Sequence, residues 1–290
     1  MPSRHPVTYF PVPTQRAFAA NAEAIRGKPY AHYFNGDLWL HDEAVAAIRA
    51  PMPLAHALPC TPQGFDRLLE PGDLAGETGY CELPGGGAYV ASRVPFPGCT
   101  GEMLKWWFWW HAVEPARYTL WYPTNHLSAR SLSPEKLSAP GLTHEQRYLG
   151  TSHRVLEWIG PKKVDVLIDF VDPADLGMDT RRFAEAGIVA HACARVRTGP
   201  RPRARVVTML HLARATADGF ELRSRYWIAN DLRLEVFGSA VPVGPLLRGI
   251  GVLPHLAGAA VGYEQLLHDQ IEFTHLSTFL APLHAEFGAT

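Results

Sequence analysis

Hydrophobic and polar positions alternate with a period of two in three segments of the second half of the chain. Alternation of this kind is typical of a strand that buries one face. The apolar faces contain Val164, Val166, Ile168 and Phe170 in the first segment, Val207, Met209, His211 and Ala213 in the second, and Phe220, Leu222, Ser224, Tyr226 and Ile228 in the third. Glu221, Arg223 and Arg225 alternate with the third set, so we expect them to face solvent.

Turn signals connect these and other short strands. Residues 79–83 and 88–91 predict a hairpin around the glycine-rich segment 84–87, since no helix start or Lys follows the glycines as a phosphate-binding loop requires. Residues 195–205 contain five Arg, two Pro and one Gly and predict a solvated hairpin connection. Residues 118–122 predict a strand that reaches a proline bend before His126.

Helical patterns occur before and after the strands. Short helices are predicted at residues 14–26 and 42–49, a buried aromatic helix at residues 103–111, and a long helix over residues 256–280 that ends at Pro282. Antiparallel strands followed by one long C-terminal helix predict an α+β fold. In such a fold a curved sheet grips the helix and leaves a cavity between them.

Composition excludes several classes of function. The 290 residues are 47% hydrophobic and 19% charged with a net charge of −1, so no overall field attracts nucleic acid or an anionic membrane. No apolar run is long enough to span a membrane, and the N-terminus lacks the apolar core of a signal peptide. The four cysteines are widely spaced and are expected to be free thiols in a cytoplasmic protein.

Candidate chemistry begins with His268 and Glu272 in the last predicted helix. Residues four apart share a helical face, with Cβ atoms about 5–6 Å apart, so the two side chains can converge on one cation such as Zn²⁺. A solvated surface pair is the alternative interpretation. His211 and Tyr226 fall on inward strand faces, and Glu157 lies among apolar neighbours, where unpaired polar groups are costly to bury. Such groups are typical of a pocket.

The sequence resembles the 2,4-diacetylphloroglucinol hydrolase family, which also includes phloretin hydrolase. The resemblance extends from about Lys28 to the last helix and is visible in Glu77-Thr78-Gly79-Tyr80-Cys81, Trp106-Trp107-Phe108-Trp109-Trp110-His111, Arg117-Tyr118-Thr119-Leu120-Trp121 and His268-x-x-x-Glu272. It implies a helix-grip fold like that of the birch-pollen allergen (Bet v 1) family. Residues 1–75 would form a small helical N-terminal segment and residues 76–290 the helix-grip catalytic domain.

The resemblance also implies a reaction and the residues that perform it. Family members hydrolyse the carbon–carbon bond between a phloroglucinol ring and an acyl group, so an acylphloroglucinol-like small molecule is the expected substrate. The family's zinc ligands fall on His126, Glu157, His268 and Glu272, and its substrate-contacting residues fall on Tyr118, His211 and Tyr226. Ala129 stands where the family has an Asn, which affects the expected contact to one ring hydroxyl.

The chemistry explains why such residues are needed. Protonation of the ring carbon avoids an aryl carbanion as the leaving group, while zinc lowers the pKa of water for attack on the carbonyl. Glu157 is expected to be either a ligand or the base for that water. His111, His191 and His275 are expected to be hydrogen-bonded core residues.

Two other functions stay open at this point. One is a non-catalytic helix-grip binding protein for aromatic polyketides, and the other is a polyketide cyclase or aromatase that uses no metal. We expect a homodimer with no nucleic-acid or membrane partner.

Overall fold

The computed structural model describes residues 3–198, 203–236, 239–244, 246 and 258–289. Its strands are β1 (His5–Pro6), β2 (Trp39–Leu40), β3 (Gly79–Glu82), β4 (Ala88–Pro97), β5 (His126–Ser131), β6 (Ser152–Ile159), β7 (Lys162–Val171), β8 (Ile188–His191), β9 (Cys193–Thr198), β10 (Ala204–Ala215), β11 (Gly219–Val236) and β12 (Ser239–Pro242). The α-helices are α1 (Val12–Ile25), α2 (Asp42–Ala47), α3 (Pro62–Asp66), α4 (Gly101–Val113), α5 (Pro134–Leu137), α6 (His144–Tyr148) and α7 (Ala259–Phe287). Short 3₁₀ helices occupy Ala31–Tyr33, Leu54–His56, Arg67–Leu69, Pro115–Leu120, Pro173–Leu176 and Thr180–Arg182.

One large antiparallel sheet forms the body of the protein. Its strand order is β3-β4-β11-β10-β9-β7-β6-β5, with β8 beside β10 and β12 beside β11. Helix α7 packs against β3, β4 and β6. The three strands predicted from alternation are present as β7, β10 and β11, and the hairpin at the glycine-rich turn is present as β3 and β4. The expected α+β helix-grip arrangement is therefore confirmed.

The core lies between the inner face of the sheet and the helices α4 and α7. Trp106 and Trp107 of α4 are fully buried, together with Phe96 and Phe220 of the sheet and Phe273 of α7. The aromatic block is helical because Thr100 caps its first turn by accepting a hydrogen bond from the Met103 backbone. The predicted buried aromatic helix is thus confirmed.

Three expectations about the elements are wrong. Helix α7 passes through Pro282 and continues to Phe287, and the expected start at residue 256 lies outside the described residues. Leu283, directly after this proline, is completely buried, and this packing outweighs the hydrogen bond that proline cannot make. Tyr118 lies in the 3₁₀ helix Pro115–Leu120 rather than in a strand, because a proline at its first position favours the turn. Arg195 and Arg197 lie within β9 rather than in the predicted loop.

The expectation that Arg223 and Arg225 face solvent is also wrong. Both alternate with Tyr226 as predicted, but they are only 3% and 0% exposed because the chain at residues 72–77 crosses this outer face. Glu77 lies between them, 3.0 Å from Arg223 Nη1 and 2.5 Å from Arg225 Nη2. The period-two pattern predicted correctly which face of the strand each Arg lies on. It contains no information about the distant segment that covers that face.

The N-terminal segment also supports the strand that carries His126. The Nδ2 atom of Asn21, on α1, donates to the carbonyl oxygens of Pro123 at 2.9 Å and His126 at 2.7 Å. The four cysteines are free, as expected. Within the described part of the chain, no helix combines the length and apolar character needed to cross a membrane.

Candidate metal centre and active site

Four imidazole and carboxylate side chains from three elements meet at the inner face of the sheet. His126 begins β5 and pairs directly with Glu157 on β6, so both side chains point to the same side. His268 and Glu272 lie one turn apart on α7, as their spacing predicts. The four residues are between 0% and 8% exposed. The solvated surface pair is therefore excluded.

The donor atoms are at distances that suit a shared cation. His126 Nε2 lies 3.3 Å from His268 Nε2, 3.2 Å from Glu272 Oε2 and 3.6 Å from Glu157 Oε2. His268 Nε2 lies 3.7 Å from Glu272 Oε2 and 3.9 Å from Glu157 Oε2. Ligands at zinc distances in a tetrahedron lie about 3.3–3.6 Å apart, so this cluster is close to that geometry.

Burial shifts the protonation of all four groups towards their neutral forms. Removal from water lowers the pKa of His268 to about 4 and holds that of His126 well below its usual range, with the neighbouring imidazole adding to the effect. Burial raises the pKa of Glu157 to about 7, and it raises that of Glu272 well above its ordinary value with help from Asp269 and Glu157. In the described part of the chain, no Lys or Arg nitrogen comes within 4.0 Å of either carboxylate.

This donor set fits a divalent cation. Neutral imidazoles offer lone pairs and the carboxylates offer charge, which are the ligand types that Zn²⁺ takes. His126 Nδ1 lies 3.2 Å from the carbonyl oxygen of Tyr118, so Nδ1 donates there and Nε2 is left as an acceptor towards the cluster. His126, Glu157 and His268 have ligand atoms that all lie within 4.8 Å of one another.

A cavity of about 730 Å³ opens beside the cluster. Its polar wall carries Tyr118, Glu157, His211, Tyr226, His268 and Glu272. Phe108, Trp121 and several β-branched residues of β6, β7 and β10 form the apolar remainder. The prediction that His211 and Tyr226 face the same interior as His268 is confirmed. A flat, largely apolar molecule with a few polar groups fits such a cavity.

Both tyrosine hydroxyls of this wall donate to carboxylates. Tyr118 Oη donates to Glu157, and Tyr226 Oη donates to Asp269 Oδ1 at 2.5 Å. Burial and the adjacent carboxylates raise the pKa of both phenols well above their ordinary value. His211 Nδ1 lies 2.8 Å from Ser224 Oγ, and burial lowers the pKa of His211 to about 3. The two phenols and this imidazole are therefore neutral at pH 7.

Three further histidines were expected to be hydrogen-bonded core residues. His275 is a core residue, with Nδ1 3.0 Å from the Trp121 carbonyl oxygen, and His111 Nδ1 lies 2.7 Å from the Trp107 carbonyl oxygen. His191 lies 3.1 Å from Glu145. Ala129 is fully buried and pairs with Val155, which lines the cavity, so both residues point to the inner face.

Two polar residues near the cavity were not found from the sequence. His153 lines the cavity, and Asp269 contacts Tyr226. His111, which was expected in the core, also lines the cavity. The residues on either side of Asp269, His268 and Gln270, are also polar, and consecutive polar residues are typical of a solvated helix face. Only the register of α7 against β11 distinguishes the two cases.

Known proteins are similar to this chain along most of its length. Residues 61–285 match the family described as the DAPG hydrolase PhiG domain. A 2,4-diacetylphloroglucinol hydrolase of Pseudomonas protegens is 39% identical over 284 residues, which are 98% of this chain and 92% of that protein. A protein of the same name from Pseudomonas sp is 38% identical and covers 98% of this chain and 96% of its own.

Two further likenesses are more distant. The phloretin hydrolase of Eubacterium ramulus is 30% identical over 209 residues, which are 72% of this chain and 71% of that protein. Among solved structures, Ara h 8.0201 aligns with 62% of this chain and 97% of its own at 11% identity and a TM-score of 0.29. The extended matches to the first two relatives and to the family model lead to one conclusion: this chain belongs to the 2,4-diacetylphloroglucinol hydrolase family.

Proposed function

We propose that the chain is a zinc-dependent hydrolase that cleaves the carbon–carbon bond between a phloroglucinol-type ring and an acyl group. Its relatives are named as hydrolases of 2,4-diacetylphloroglucinol and of phloretin. The observation that carries the proposal is the buried cluster of two imidazoles and two carboxylates on the wall of a largely apolar cavity. An aromatic carrier needs the cavity but has no use for this cluster.

His126, His268 and Glu272 would hold the zinc. When bound, the ion supplies Lewis acidity, which polarises oxygen and lowers the pKa of water towards about 7. The His126 tautomer is already set by the Tyr118 carbonyl oxygen, so this ligand is oriented before the ion arrives. Glu157 acts either as the fourth ligand or as the base that takes a proton from the attacking water.

The ring is held by the polar wall of the cavity. Tyr118 and Tyr226 each give their own hydrogen to a carboxylate, so their oxygen lone pairs can accept hydrogen bonds from ring hydroxyls. His211 lies beside Tyr226, with ring centroids 5.6 Å apart, and completes the group that moves protons to and from the ring. The apolar lining excludes bulk water around the acyl chain.

The proposed reaction consumes one water molecule. Water oxygen bonds to the acyl carbonyl carbon, the bond from that carbon to the ring breaks, and its electron pair returns to the ring. A proton reaches the ring carbon before the bond breaks, so the ring leaves as a stabilised enol-type species rather than an aryl carbanion. The products are a phloroglucinol-type ring and a carboxylic acid. General acid–base groups in such positions contribute typically about 10²–10⁴-fold in rate.

A product assay tests this function. Zinc-loaded protein is incubated with monoacetylphloroglucinol, and phloroglucinol and acetate are quantified by chromatography. We expect equimolar products at a rate proportional to protein. Tight binding of the substrate without turnover would support the carrier instead, and a ring-closed product from a polyketide formed equally well without metal would support the cyclase.

A further inference from the structure

A buried carboxylate outside the four-donor cluster contacts the cavity wall. Asp269 is 0% exposed and lies on α7 next to His268, and its Oδ1 accepts the hydroxyl hydrogen of Tyr226 at 2.5 Å. A carboxyl group buried in this way costs stability unless its interactions compensate. Asp269 therefore requires contacts that compensate for its burial.

Polar residues of three adjacent strands form a row beneath Asp269. His211, Ser224 and Ser92 lie directly opposite one another on β10, β11 and β4, so their side chains share the inner face. Ser224 Oγ lies 2.8 Å from His211 Nδ1, and Ser92 Oγ accepts from Gln270 Nε2 at 2.8 Å. Burial raises the pKa of Asp269 to about 6, and the hydroxyls of Ser92, Tyr226 and Ser224 oppose that rise. The row joins His211 to Ser224, while Asp269 Oδ1 is bonded to Tyr226.

The direction of the hydrogen bond determines what Tyr226 offers to the cavity. A phenol has one hydrogen and two acceptor lone pairs, and here the hydrogen is used by Asp269. Tyr226 therefore faces the cavity as an acceptor, and the matching group on a bound ring is a hydroxyl rather than a carbonyl oxygen. Since Asp269 shares α7 with His268 and Glu272, the same helix fixes the tyrosine and two of the proposed ligands.

We propose that Asp269 is a positioning residue that holds the Tyr226 hydroxyl as an acceptor for a ring hydroxyl of the substrate. The inference rests on the proposed function, because it places the acyl-bearing ring between Tyr226 and the cluster. By this arrangement the distance between the held hydroxyl and the acyl carbonyl is set by α7. Misplacement of a substrate by about 1 Å can reduce the rate about 100-fold.

A double-mutant cycle between Asp269 and Tyr226 tests the inference. With monoacetylphloroglucinol as substrate, Asp269→Leu removes the acceptor at similar volume and should lower kcat/KM about 100-fold, as should Tyr226→Phe. The double variant should lose no more than Tyr226→Phe alone. Asp269→Asn keeps an acceptor oxygen and should retain activity within about tenfold of the wild type. Thr274→Val, which changes another buried residue of α7, is the control and should stay within about twofold.

Two further readouts separate this role from others. Zinc content should be equal in all variants, and loss of zinc in Asp269→Leu would overturn the inference because Asp269 would then support His268. Phloroglucinol binding, measured by calorimetry, should weaken about fivefold in either single variant without adding in the double. The binding cycle decides the inference even if no hydrolysis occurs, whereas absent turnover by the wild type contradicts the proposed function. Losses of kcat/KM that multiply in the double variant would also overturn the inference. So would a wild-type kcat/KM in Asp269→Leu. If Asp269→Leu does not fold, the same cycle with Asp269→Ala, which also removes the acceptor, applies.

Discussion

The Nε2 atoms of His126 and His268 face each other at 3.3 Å, although 142 residues separate them along the chain. Burial keeps both rings in the neutral form, so two lone pairs cannot share this space without a proton or a cation between them. Glu272 Oε2 lies 3.2 Å and 3.7 Å from these same two atoms. A divalent cation would satisfy all three groups at once.

Removal of one imidazole should therefore weaken zinc binding. In His268→Ala, zinc affinity should fall by more than about 100-fold, since loss of a group that only supports a ligand already costs 10–100-fold. Competition for zinc against a coloured chelator measures this affinity. His275→Ala is the matched control on the same helix, because His275 bonds the Trp121 carbonyl oxygen instead of facing the cluster. Unchanged zinc affinity in His268→Ala would exclude it as a ligand.

The hydroxyl of Tyr118 should matter for turnover and not for folding. Tyr118→Phe should lower kcat about 10²–10⁴-fold, the range of a proton-relaying group, while zinc stays bound. Tyr148→Phe provides the comparison, since Tyr148 is equally buried but donates to the His191 carbonyl oxygen. That control should lose about 1 kcal/mol of stability and keep its kcat. Equal kcat values for the two variants would refute a role for Tyr118.

The alternation of β11 shows what the sequence could and could not reveal. It placed Tyr226 in the cavity and Arg223 on the opposite face correctly, because the face of a strand follows from period two alone. Solvent exposure of Arg223 was wrong, since burial there depends on residues 72–77 folding over the sheet. Likewise, only the resemblance brought His126 and Glu157 together. Their contact depends on the register of β5 against β6, which the spacing of residues does not contain.

The ion cluster on that covered face should make stability depend on pH. The pKa of Glu77 is below its ordinary value of 4.5, with burial opposing and Arg225 and Arg223 lowering it. A lowered pKa means that Glu77 contributes stability above about pH 4.5 and that this contribution is lost as the pH falls through its folded value. Glu77→Gln should therefore cost about 3–5 kcal/mol at pH 7, measured by urea unfolding.

The difference between wild type and Glu77→Gln should stay constant from pH 7 to 5 and shrink below about pH 4.5. Glu82→Gln, at an exposed position on the neighbouring β3, is the control and should change stability by no more than about 0.5 kcal/mol. A difference that grows on acidification would contradict the assigned sign.

Substrate preference should respond to position 129, where the resemblance predicts an Asn and this chain has Ala. Sites that bond a substrate hydroxyl discriminate strongly against analogues, and sites without the partner do so less. We therefore expect activity on monoacyl phloroglucinols, including those with larger acyl chains. Ala129→Asn should change the ratio of kcat/KM between 2,4-diacetylphloroglucinol and monoacetylphloroglucinol.

Ala129→Leu separates the effect of the Asn amide group from the effect of a larger side chain. Ala129 is fully buried, so either larger side chain should cost about 1–3 kcal/mol of stability. Only Asn should change the substrate ratio. If the two variants give the same ratio while activity survives, position 129 does not contact the ring.

Metal analysis combined with the product assay tests the central claim most directly. Purified protein should contain about one zinc per chain, lose hydrolysis of monoacetylphloroglucinol when a chelator removes the ion, and regain it when zinc is returned. The restored rate should follow the zinc content in proportion. Full hydrolysis by protein from which all metal has been removed would contradict the account.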